Sequence, residues 1–482
     1  MLLDLLEERA NVLRDHHFLI DPEQPKCGVS YLEFREDVVR CAKKFQQSGV
    51  REGERVGLPV RSATEFIPAW FALLSLKAVP VPISGDAPVS EAASAFTQVG
   101  ARWYLDQEQD PWQLKPWTTV AMTPGSREQR YPGGGVVLWT SGTSGEPKPV
   151  SITTSALLHT AEQVSQVHRL GSQDVGYSPL PLFHINGEVV AVLASFLAGS
   201  TVVIPRRFRR SLFWQHVQRY QTTWINAVPS ILAMVVQDDE EPRNLRKIRL
   251  LRSASMALPG VVRERWLQRW GLEITETYGL SEAASQVTAN GLHESRLGSV
   301  GKPRGIQLRV CDGNGTVLPP DQMGIIEIKG PSVINPHWGA NKWAQDKTRD
   351  GWYNTGDVGI VDQDGFVFLK GRNREVINRG GEKIFPREIE EAITRIPGIV
   401  ECAVVGSPHP ILGEEVVACV VMETDEPATV VANRVRKHAA DMLARHKVPT
   451  QVITVSTLPT GSTGKISRRM LQQQIAQSEV QS

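Results

Sequence analysis

Nine consecutive residues carry the most information in this sequence: Thr140, Ser141, Gly142, Thr143, Ser144, Gly145, Glu146, Pro147 and Lys148. They follow a β-branched run, residues 136–140, and precede a segment with helical spacing, so we expect a loop between a strand and a helix. The two glycines leave backbone amides that can close around an anion, while hydroxyls and a lysine surround them. This composition favours phosphate binding. The spacing of a Walker A loop is absent, and a surface turn remains the alternative.

Working outward, length and composition limit the classes of protein. A chain of 482 residues is too long for one ordinary core, so we expect at least two domains. With 41% hydrophobic and 22% charged residues and no apolar run of about 18 residues, the composition is that of a globular protein and excludes membrane spanning. The 53 basic and 52 acidic residues give a net charge of +1, which does not favour nucleic acid as a partner. An anionic ligand must therefore be held locally.

The cysteine pattern and the N-terminal residues indicate the cellular compartment of the protein. The cysteines are scattered, odd in number and lack CxxC spacing, which argues against both a disulfide framework and a zinc site. The first 17 residues carry acids and no long apolar core, so they predict an amphipathic helix rather than a signal peptide. Together these features predict a cytoplasmic protein.

The pattern along the chain predicts an α/β fold. Helical and strand-like segments alternate from Ser30 to residue 229, which indicates a large body of helix-flanked sheets. After Gly298, short alternating strands with Asp-Gly and Asn-Gly turns predict a small β-barrel subdomain. A compact α+β segment of about 110 residues then closes the chain. We therefore predict an N-terminal domain at residues 1–371 and a small, mobile C-terminal domain at residues 372–482.

Residues 140–148 resemble the signature loop of the adenylate-forming superfamily, which includes acyl-CoA synthetases, aryl-CoA ligases, luciferases and peptide-synthetase adenylation domains. The family loop is close to [Tyr/Phe]-Thr-Ser-Gly-Thr-Thr-Gly-x-Pro-Lys-Gly. Here Trp139 supplies the aromatic residue and Ser144 keeps the hydroxyl, whereas Pro149 replaces the final glycine and stiffens the exit. Further motifs follow in the family's order as far as Leu471, so the resemblance covers nearly the whole chain.

The segment Tyr278-Gly279-Leu280-Ser281-Glu282 is similar to the family motif Tyr-Gly-x-Thr-Glu. The resemblance implies that Tyr278 stacks on adenine, that Ser281 contacts the α-phosphate and that Glu282 carries Mg²⁺. A hard oxygen ligand suits Mg²⁺ when the ion also bridges phosphates. Taken alone, the tyrosine would be a core aromatic residue and the glutamate a helix-start acid.

Two more motifs lie beyond residue 350. Residues 351–357 are similar to Gly-Trp-x-x-Thr-Gly-Asp, which implies that Asp357 binds the ribose hydroxyls. Arg372 matches the family's Gly-Arg segment, which implies a contact with ribose or phosphate. Arg374 stands at the family's hinge, about which the C-terminal domain rotates between the adenylating and thioester-forming states.

The C-terminal segment carries the family's remaining motifs. Residues 458–469 match Leu-Pro-x-Thr-x-x-Gly-Lys-Ile, and the resemblance implies that Lys465 is the catalytic lysine, although alone it would be an exposed lysine in a turn. Its charge would offset the repulsion between carboxylate and α-phosphate. Gly380, Gly381 and Glu382 resemble the segment that lines the pantetheine tunnel in CoA-forming members.

The acid pocket is predicted from a different motif. His184, in residues 181–187, takes the place of the family residue at the junction of the acid and thiol pockets, so we assign it to both catalysis and substrate binding. It suggests a simple acyl or aryl acid, while Glu188 keeps an amino-bearing acid open. The residues 206–210 could meet a CoA phosphate or an acidic carrier, or form a solvated loop. The other predicted pocket residues are Asn226, Ser253, Ala254, Ser255, Gly279 and Ser285.

Three stretches look most like oxalate:CoA ligases: residues 252–259, 276–290 and 377–390. Those enzymes tend to have histidines where this chain has Asn186 and Ser285. With fewer cations to bind a second carboxylate, a less polar acid is at least as plausible a substrate.

The sequence therefore predicts an AMP-forming acid:thiol ligase that uses ATP and Mg²⁺. The acid and ATP would form an acyl-adenylate and pyrophosphate, and CoA would then displace AMP. The nearest rival is a stand-alone enzyme that loads an acyl or amino acid onto the phosphopantetheine of a carrier protein. From another class, the rival is a catalytically silent nucleotide-binding scaffold. The sequence determines neither the acid nor the oligomeric state.

Overall fold

A computed structural model of the chain describes residues 2–24, 28–106, 113–117, 131–141, 147–238, 242–460 and 466–481. Helices and strands alternate through its first half in the order α1 (Leu2–Leu13), β1 (His17–Ile20), β2 (Gly28–Ser30), α2 (Tyr31–Gln47), β3 (Arg55–Val60), α3 (Ala63–Ser75), β4 (Val79–Ser84), α4 (Val89–Gln98), β5 (Trp103–Asp106), β6 (Gln113–Pro116), β7 (Gly135–Ser141), β8 (Pro147–Thr153), α5 (Thr154–Val167), β9 (Val175–Tyr177), α6 (Ala194–Ala198), β10 (Thr201–Val203), α7 (Arg210–Arg219) and β11 (Trp224–Ala227).

The second half contains more strands than helices. Its elements are α8 (Pro229–Val236), β12 (Leu250–Ser253), α9 (Gly260–Trp270), β13 (Ile274–Leu280), β14 (Ser285–Ala289), β15 (Lys302–Pro303), β16 (Gln307–Cys311), β17 (Met323–Lys329), β18 (Thr348–Arg349), β19 (Trp352–Val361), β20 (Val367–Arg372), β21 (Ile377–Arg379), β22 (Glu382–Ile384), α10 (Pro386–Ile393), β23 (Ile399–His409), β24 (Gly413–Met422), α11 (Ala428–Met442), β25 (Gln451–Thr454) and α12 (Arg468–Gln481).

A nine-stranded sheet forms the centre of the N-terminal part, in the order β15-β14-β13-β12-β11-β9-β10-β1-β2. The strands from β1 through β10, β9, β11 and β12 to β13 pair in parallel. Apolar cores cover the two faces, as a parallel sheet requires. One core includes Phe34 and Leu157 from α2 and α5, and the other includes Trp214 and Trp266 from α7 and α9. This arrangement confirms the predicted α/β class.

Local sequence explains where several of these helices begin. Helix α2 starts after a capping box, in which the Ser30 hydroxyl accepts a hydrogen bond from the Glu33 amide and the Glu33 carboxylate accepts one from the Ser30 amide. Its buried face recurs at helical spacing, from Tyr31 through Phe34 and Val38 to Phe45. Pro229 opens α8, so the strand predicted to reach residue 229 ends earlier, at Ala227.

The stretch at 140–148 is placed differently from the sequence expectation. Strands β7 and β8 pair antiparallel with Thr140 opposite Lys148, so the described ends of the stretch, residues 140–141 and 147–148, belong to the two strands of a β-hairpin. Helix α5 begins only after β8, at Thr154. The predicted direct passage from strand to helix is therefore wrong, because Pro147 to Thr153 pair with β7 and form a strand of their own.

Three smaller sheets complete the fold. Strands β4-β3-β5-β6 form a four-stranded sheet beside the hairpin. Strands β16-β17-β19-β18 form an antiparallel sheet, with β20 also paired to β19, in the part of the chain for which a small β-barrel was predicted. After Arg374, strands β22-β21-β24-β23 with β25 form the last sheet, whose apolar clusters draw only on residues from Ile377 onward. A large N-terminal and a small C-terminal body are thus confirmed.

Two further observations concern the described residues as a whole. None of their helices combines the length and apolar character needed to cross a membrane. The four cysteines among them, Cys41, Cys311, Cys402 and Cys419, are buried free thiols.

Candidate active site

The predicted nucleotide residues meet at the boundary between the central sheet and the antiparallel sheet. The Tyr278 hydroxyl donates to Asp357 Oδ2 at 2.5 Å, and Arg372 Nε lies 2.9 Å from Asp357 Oδ1. The register of β19 with β20 sets Asp357 directly opposite Arg372. We call Tyr278, Asp357 and Arg372 the Asp357 cluster. Motifs that are separated by about 80 residues in the chain thus form one group.

The electrostatics of the Asp357 cluster are balanced. Burial raises the pKa of Tyr278 well above its ordinary value, so its phenol stays protonated and donates. The Asp357 carboxylate raises the pKa of Arg372, so the guanidinium stays charged. A carboxylate offers about four acceptor positions, which leaves Asp357 able to accept from a ribose as well.

Glu282 lies at the edge of the same region. It belongs to a short 3₁₀ turn, Ser281–Ala283, that follows β13 directly. Burial lowers the pKa of Lys347, and the charge of Glu282 partly offsets this by raising it. Burial raises the pKa of Tyr353, and Glu282 raises it further. Among the described residues no group of three or more His, Cys, Asp or Glu side chains could hold a metal ion. A single carboxylate nevertheless fits Mg²⁺, which is commonly held by one or two carboxylates and the phosphates of its substrate.

A cavity of about 550 Å³ opens beside this region. It is large enough for a small organic ligand and part of a nucleotide. It brings residues predicted for the nucleotide together with residues predicted for the acid, and those that line it are Thr140, His184, Ala254, Ser255, Gly279, Ser281 and Ser285. Asn226 and Ser253, also predicted, do not line the cavity. They are buried on β11 and β12 behind its wall.

Gly279 is required by the shape of the cavity wall. The register of β13 with β14 shifts between Tyr278 and Gly279, which forms a bulge. A Cβ atom on Gly279 would lie 1.5 Å from the carbonyl oxygen of Ser285, so no other residue fits without movement of the strand. Ser285 itself has φ of +94° and Ser255 has φ of +72°, which are strained for residues other than glycine.

Arg61, Arg206, Arg207 and Arg252 line the cavity, and sequence reasoning missed the buried one, Arg252. Its side chain lines the cavity although the residue is only 1% exposed. Its Nη1 donates to Asn226 Oδ1 at 2.7 Å and to Asn186 Oδ1 at 3.3 Å, and its Nη2 donates to Gln286 Oε1 at 3.4 Å. We call Arg252, Asn186, Asn226 and Gln286 the Arg252 cluster. A charged residue inside the short strand β12, directly after Leu250 and Leu251, was the signal that could have revealed it.

The motif around His184 forms one side of the cavity. His184 packs against Phe183, with ring centroids 4.6 Å apart, and its backbone amide donates to the Pro181 carbonyl. The chain then enters a π-helix, Asn186–Leu193, a rare element that often occurs at functional sites. Glu188, in this helix, is buried outside the cavity lining, and burial raises its pKa well above the ordinary value. A neutral acid there gives no support to an amino-bearing substrate.

The two lysine-bearing loops are only partly described. Gly142, Thr143, Ser144 and Gly145 lie outside the described residues, as does Lys465. Ser141 ends strand β7, and the Lys148 ammonium lies 5.5 Å from the centroid of the Trp343 ring. The Trp343 indole also donates to the Pro149 carbonyl at 2.8 Å, so Pro149 is held by a neighbouring element.

The residues predicted for the hinge and for CoA lie away from the cavity. Arg374 occupies a 3₁₀ turn, Asn373–Glu375, just after β20. Gly380 and Gly381 have φ of +60° and +92° and form the exposed turn between β21 and β22. Glu382 follows them at the start of β22 and is also exposed. None of these residues lines the cavity, so the structure does not bring them to the acid.

Comparison with known families agrees with this geometry. Residues 6–129 and 135–338 match the family described as AMP-binding enzyme, which is more than half of the chain. Residues 388–465 match the AMP-binding enzyme C-terminal domain.

Curated relatives and solved structures extend the match. A sulfoacetate–CoA ligase of Cupriavidus necator is 40% identical over 341 residues, 70% of this chain but just under two thirds, 66%, of that relative. An oxalate–CoA ligase of Arabidopsis thaliana is 29% identical over 512 residues, with 98% of each chain covered. ATP-bound MatB from Rhodopseudomonas palustris has the same fold, with a TM-score of 0.85, 24% identity and coverage of 98% of this chain and 99% of MatB. These relatives confirm the predicted reaction class, and the chain belongs to the AMP-binding enzyme family.

Proposed function

We propose that this protein joins a carboxylic acid to CoA at the expense of ATP, with the residue roles given below. As an AMP-forming acid–CoA ligase, it uses two steps. A carboxylate oxygen of the acid attacks the α-phosphorus of ATP and pyrophosphate leaves; the thiol of CoA then attacks the acyl carbon, and AMP leaves. One observation supports this assignment above the others: a single cavity is lined both by Thr140 and Ser281, on the nucleotide side, and by His184 and Ser255, on the acid side.

The Asp357 cluster is proposed as the nucleoside site. Tyr278 would present its ring to adenine, and Asp357 would accept hydrogen bonds from the ribose hydroxyls while Tyr278 and Arg372 hold its two oxygens in place. Such fixed donors and acceptors lower the reorganisation needed when substrate binds. Ser281, at the start of its 3₁₀ turn and on the cavity wall, would contact the α-phosphate.

The phosphates require positive charge and a metal. We propose that residues 140–148, with Lys148, surround the β- and γ-phosphates, since β7 reaches the cavity wall at Leu138 to Thr140 and Thr140 pairs with Lys148 on β8. Glu282 would hold Mg²⁺, which when bound neutralises phosphate charge. Lys465 would bridge the carboxylate and the α-phosphate.

Thioester formation, the second step, requires a different orientation of the small C-terminal domain. We propose the domain boundary at residues 371–372 and rotation about Arg374. Two observations support this: the cluster of ion pairs around Arg468 and Glu375 lies beside the turn of Arg374, and the apolar clusters after that turn are separate from those before it. Rotation would bring Gly380, Gly381 and Glu382 to the cavity for the pantetheine arm of CoA. The free buried cysteines support a reducing compartment, the cytoplasm.

The experiment is a screen for pyrophosphate release with ATP, Mg²⁺ and a panel of short, aryl, fatty and amino acids, followed by hydroxylamine trapping of the acyl-adenylate. CoA and a phosphopantetheine-bearing carrier protein are then compared as acceptors. We expect pyrophosphate release with at least one acid and a thioester on CoA. Thioester on the carrier alone would support the loading enzyme, and no release with any acid would support the silent scaffold.

A further inference from the structure

The Arg252 cluster contains a buried cation whose charge no protein group balances. Within the described chain, the hydrogen-bond partners of the guanidinium are the neutral side-chain amides of Asn186, Asn226 and Gln286. Arg252 Nε is buried and has no hydrogen-bond partner there. Of five N–H donors, three are used. An isolated buried charge is costly, so this arrangement calls for an anion.

The nearby acids do not supply that anion. Burial lowers the pKa of Arg252 to about 9, so the guanidinium remains a cation at neutral pH, and no carboxylate of the described residues forms an ion pair with it. Burial is likewise the only influence on Glu188. Asp86 also lines the cavity but pairs with Arg207 at 2.6 Å on its exposed rim, and Glu276 pairs with Arg263 at 3.3 Å.

The hydrogen bonds of the cluster fix the guanidinium of Arg252, a residue of the cavity lining. Asn226 Nδ2 donates to Ser178 Oγ and to Asn186 Oδ1, which turns the Asn226 carbonyl oxygen toward Arg252. Asn186 Nδ2 in turn donates to Ser255 Oγ on the cavity wall. Four separate elements, β11, β12, β14 and the π-helix, therefore fix one cation in place. An arginine held by such a network can bind an anion in a more defined geometry than a mobile surface arginine can.

The position of the cluster along the cavity separates it from the reacting end of the acid. The reacting carboxylate belongs beside Gly279 and Ser281, next to the proposed nucleotide site. Arg252 pairs across the sheet with Thr275, four residues before Gly279 on β13, and it is only 1% exposed, so it belongs to a buried part of the lining away from Gly279. A ligand that reaches both ends needs an anion at each.

We infer that Arg252 is a specificity-determining residue that binds a second anionic group, and that the substrate is a short acid carrying a carboxylate or sulfonate besides the carboxylate that reacts. This inference rests on the proposed function and specifies its substrate class. The sequence made a less polar acid at least as plausible, because Asn186 and Ser285 stand where oxalate:CoA ligases tend to have histidines. Arg252 supplies a cation that this expectation did not include. The names of the oxalate and sulfoacetate ligases are in accord with it.

The test compares acids matched in chain length. The dianionic acids are oxalate, malonate, succinate and sulfoacetate, and the monoanionic acids are acetate, propionate and butyrate. Comparison of sulfoacetate with the dicarboxylates shows whether the second group is a sulfonate or a carboxylate. We expect pyrophosphate release to favour the dianions in the unaltered protein. Arg252→Gln should lower kcat/KM for dianions by about 10- to 100-fold and leave the monoanions nearly unchanged. Arg252→Lys should keep part of the preference.

Two further measurements decide between the explanations. Arg40→Gln, which removes an exposed cation that is paired with Asp37 and lies outside the cavity lining, should leave the ratio of dianion to monoanion activity unchanged. A dianion should raise the unfolding temperature of the unaltered protein, whereas the monoanion of the same length should not. This measurement requires neither enzymatic turnover nor a correctly folded variant.

The outcomes separate this inference from the proposed function. Monoanions activated in preference to dianions, or an equal loss for both classes in Arg252→Gln, would overturn the second-anion site while leaving acid activation intact. Release of no pyrophosphate with any acid would refute the proposed function, and the ligand-dependent thermal shift would still decide whether dianions bind.

Discussion

The Asp357 cluster and the Arg252 cluster each contain a guanidinium, but they balance its charge in opposite ways. Arg372 faces a carboxylate at 2.9 Å, whereas Arg252 faces only neutral amides among the described residues. The Asp357 cluster is therefore electrostatically complete before any ligand binds. The Arg252 cluster is completed by a ligand. Under the proposed function, the protein holds the nucleotide site ready before ATP binds, and the unbalanced charge of Arg252 selects the acid.

The largest effect should come from a residue outside both clusters. Lys465→Ala should slow adenylate formation by about 10²- to 10³-fold, because the positive charge opposite the carboxylate and α-phosphate is lost. Thioester formation from supplied acyl-adenylate should be nearly unchanged, since that step needs no such bridge. Rapid-quench measurement of each half-reaction checks this prediction. Equal loss in both half-reactions would contradict the role given to the lysine.

Gly279→Ala should disturb both clusters together, because Gly279 follows Tyr278 and faces Ser285 across the bulge. The added Cβ would lie 1.5 Å from the Ser285 carbonyl oxygen, which forces the strands apart. We expect a loss of about 1–3 kcal/mol in the free energy of unfolding and little remaining activity with any acid. Denaturant unfolding and pyrophosphate release measure the two effects.

Gly171→Ala is the matched control, since a Cβ at Gly171 would meet nothing within 4 Å. The control should unfold at nearly the same denaturant concentration as the unaltered protein. A stable and active Gly279→Ala protein would show that the bulge does not require glycine.

Asp357→Asn tests whether the two clusters act independently. An amide cannot accept at both positions, so either Tyr278 or Arg372 loses its partner. We expect kcat/KM for ATP to fall by about 10- to 100-fold, with the same factor for every acid. Steady-state kinetics with two acids provide the measurement. Asp364→Asn, on an exposed turn of the same region, serves as the control. A changed ranking of acids would contradict independence.

The smallest effect should be that of Glu188→Gln. Burial raises the pKa of folded Glu188 above its ordinary value of 4.5, so the folded protein retains a proton that the unfolded chain releases. Its contribution to stability is present below pH 4.5 and is lost as pH rises toward the folded pKa. The glutamine variant should therefore gain stability relative to the unaltered protein as pH rises above 4.5.

Denaturant unfolding between pH 4 and 9 measures this gain, with activity ratios for dianions and monoanions as a second measurement. The ratios should not change. If Glu188→Gln instead lost stability and dianion preference at neutral pH, Glu188 would be the counter-charge of Arg252 and the comparison of the two clusters would fail.

Much of the proposed nucleotide site could be assigned from the sequence because its residues lie in short motifs with regular spacing. Tyr278, Asp357 and Arg372 were each assigned from local sequence, and the fold brings them into contact. The α/β class also followed from the alternation of segments. The hairpin at 140–148 was not predicted, because a seven-residue strand with proline at positions 147 and 149 lacks the pattern expected of a strand.

The acid site was predicted less well. His184, Ala254, Ser255, Gly279 and Ser285 do line the cavity, but Asn226 and Ser253 lie behind it. Asn226 still contributes by orienting Arg252. Buried residues such as Asn226 cannot be recognised from a sequence motif, because their role depends on hydrogen-bond partners from other strands.

By itself the sequence determined the reaction class and the order of the parts, because family motifs, a capping serine and alternating apolar residues are recognised from neighbours in the chain. Only the tertiary structure decided which cation faces the acid. Arg252, Asn186, Asn226 and Gln286 are up to 100 residues apart and acquire meaning through burial together, where the low polarity of the interior makes an unbalanced charge significant.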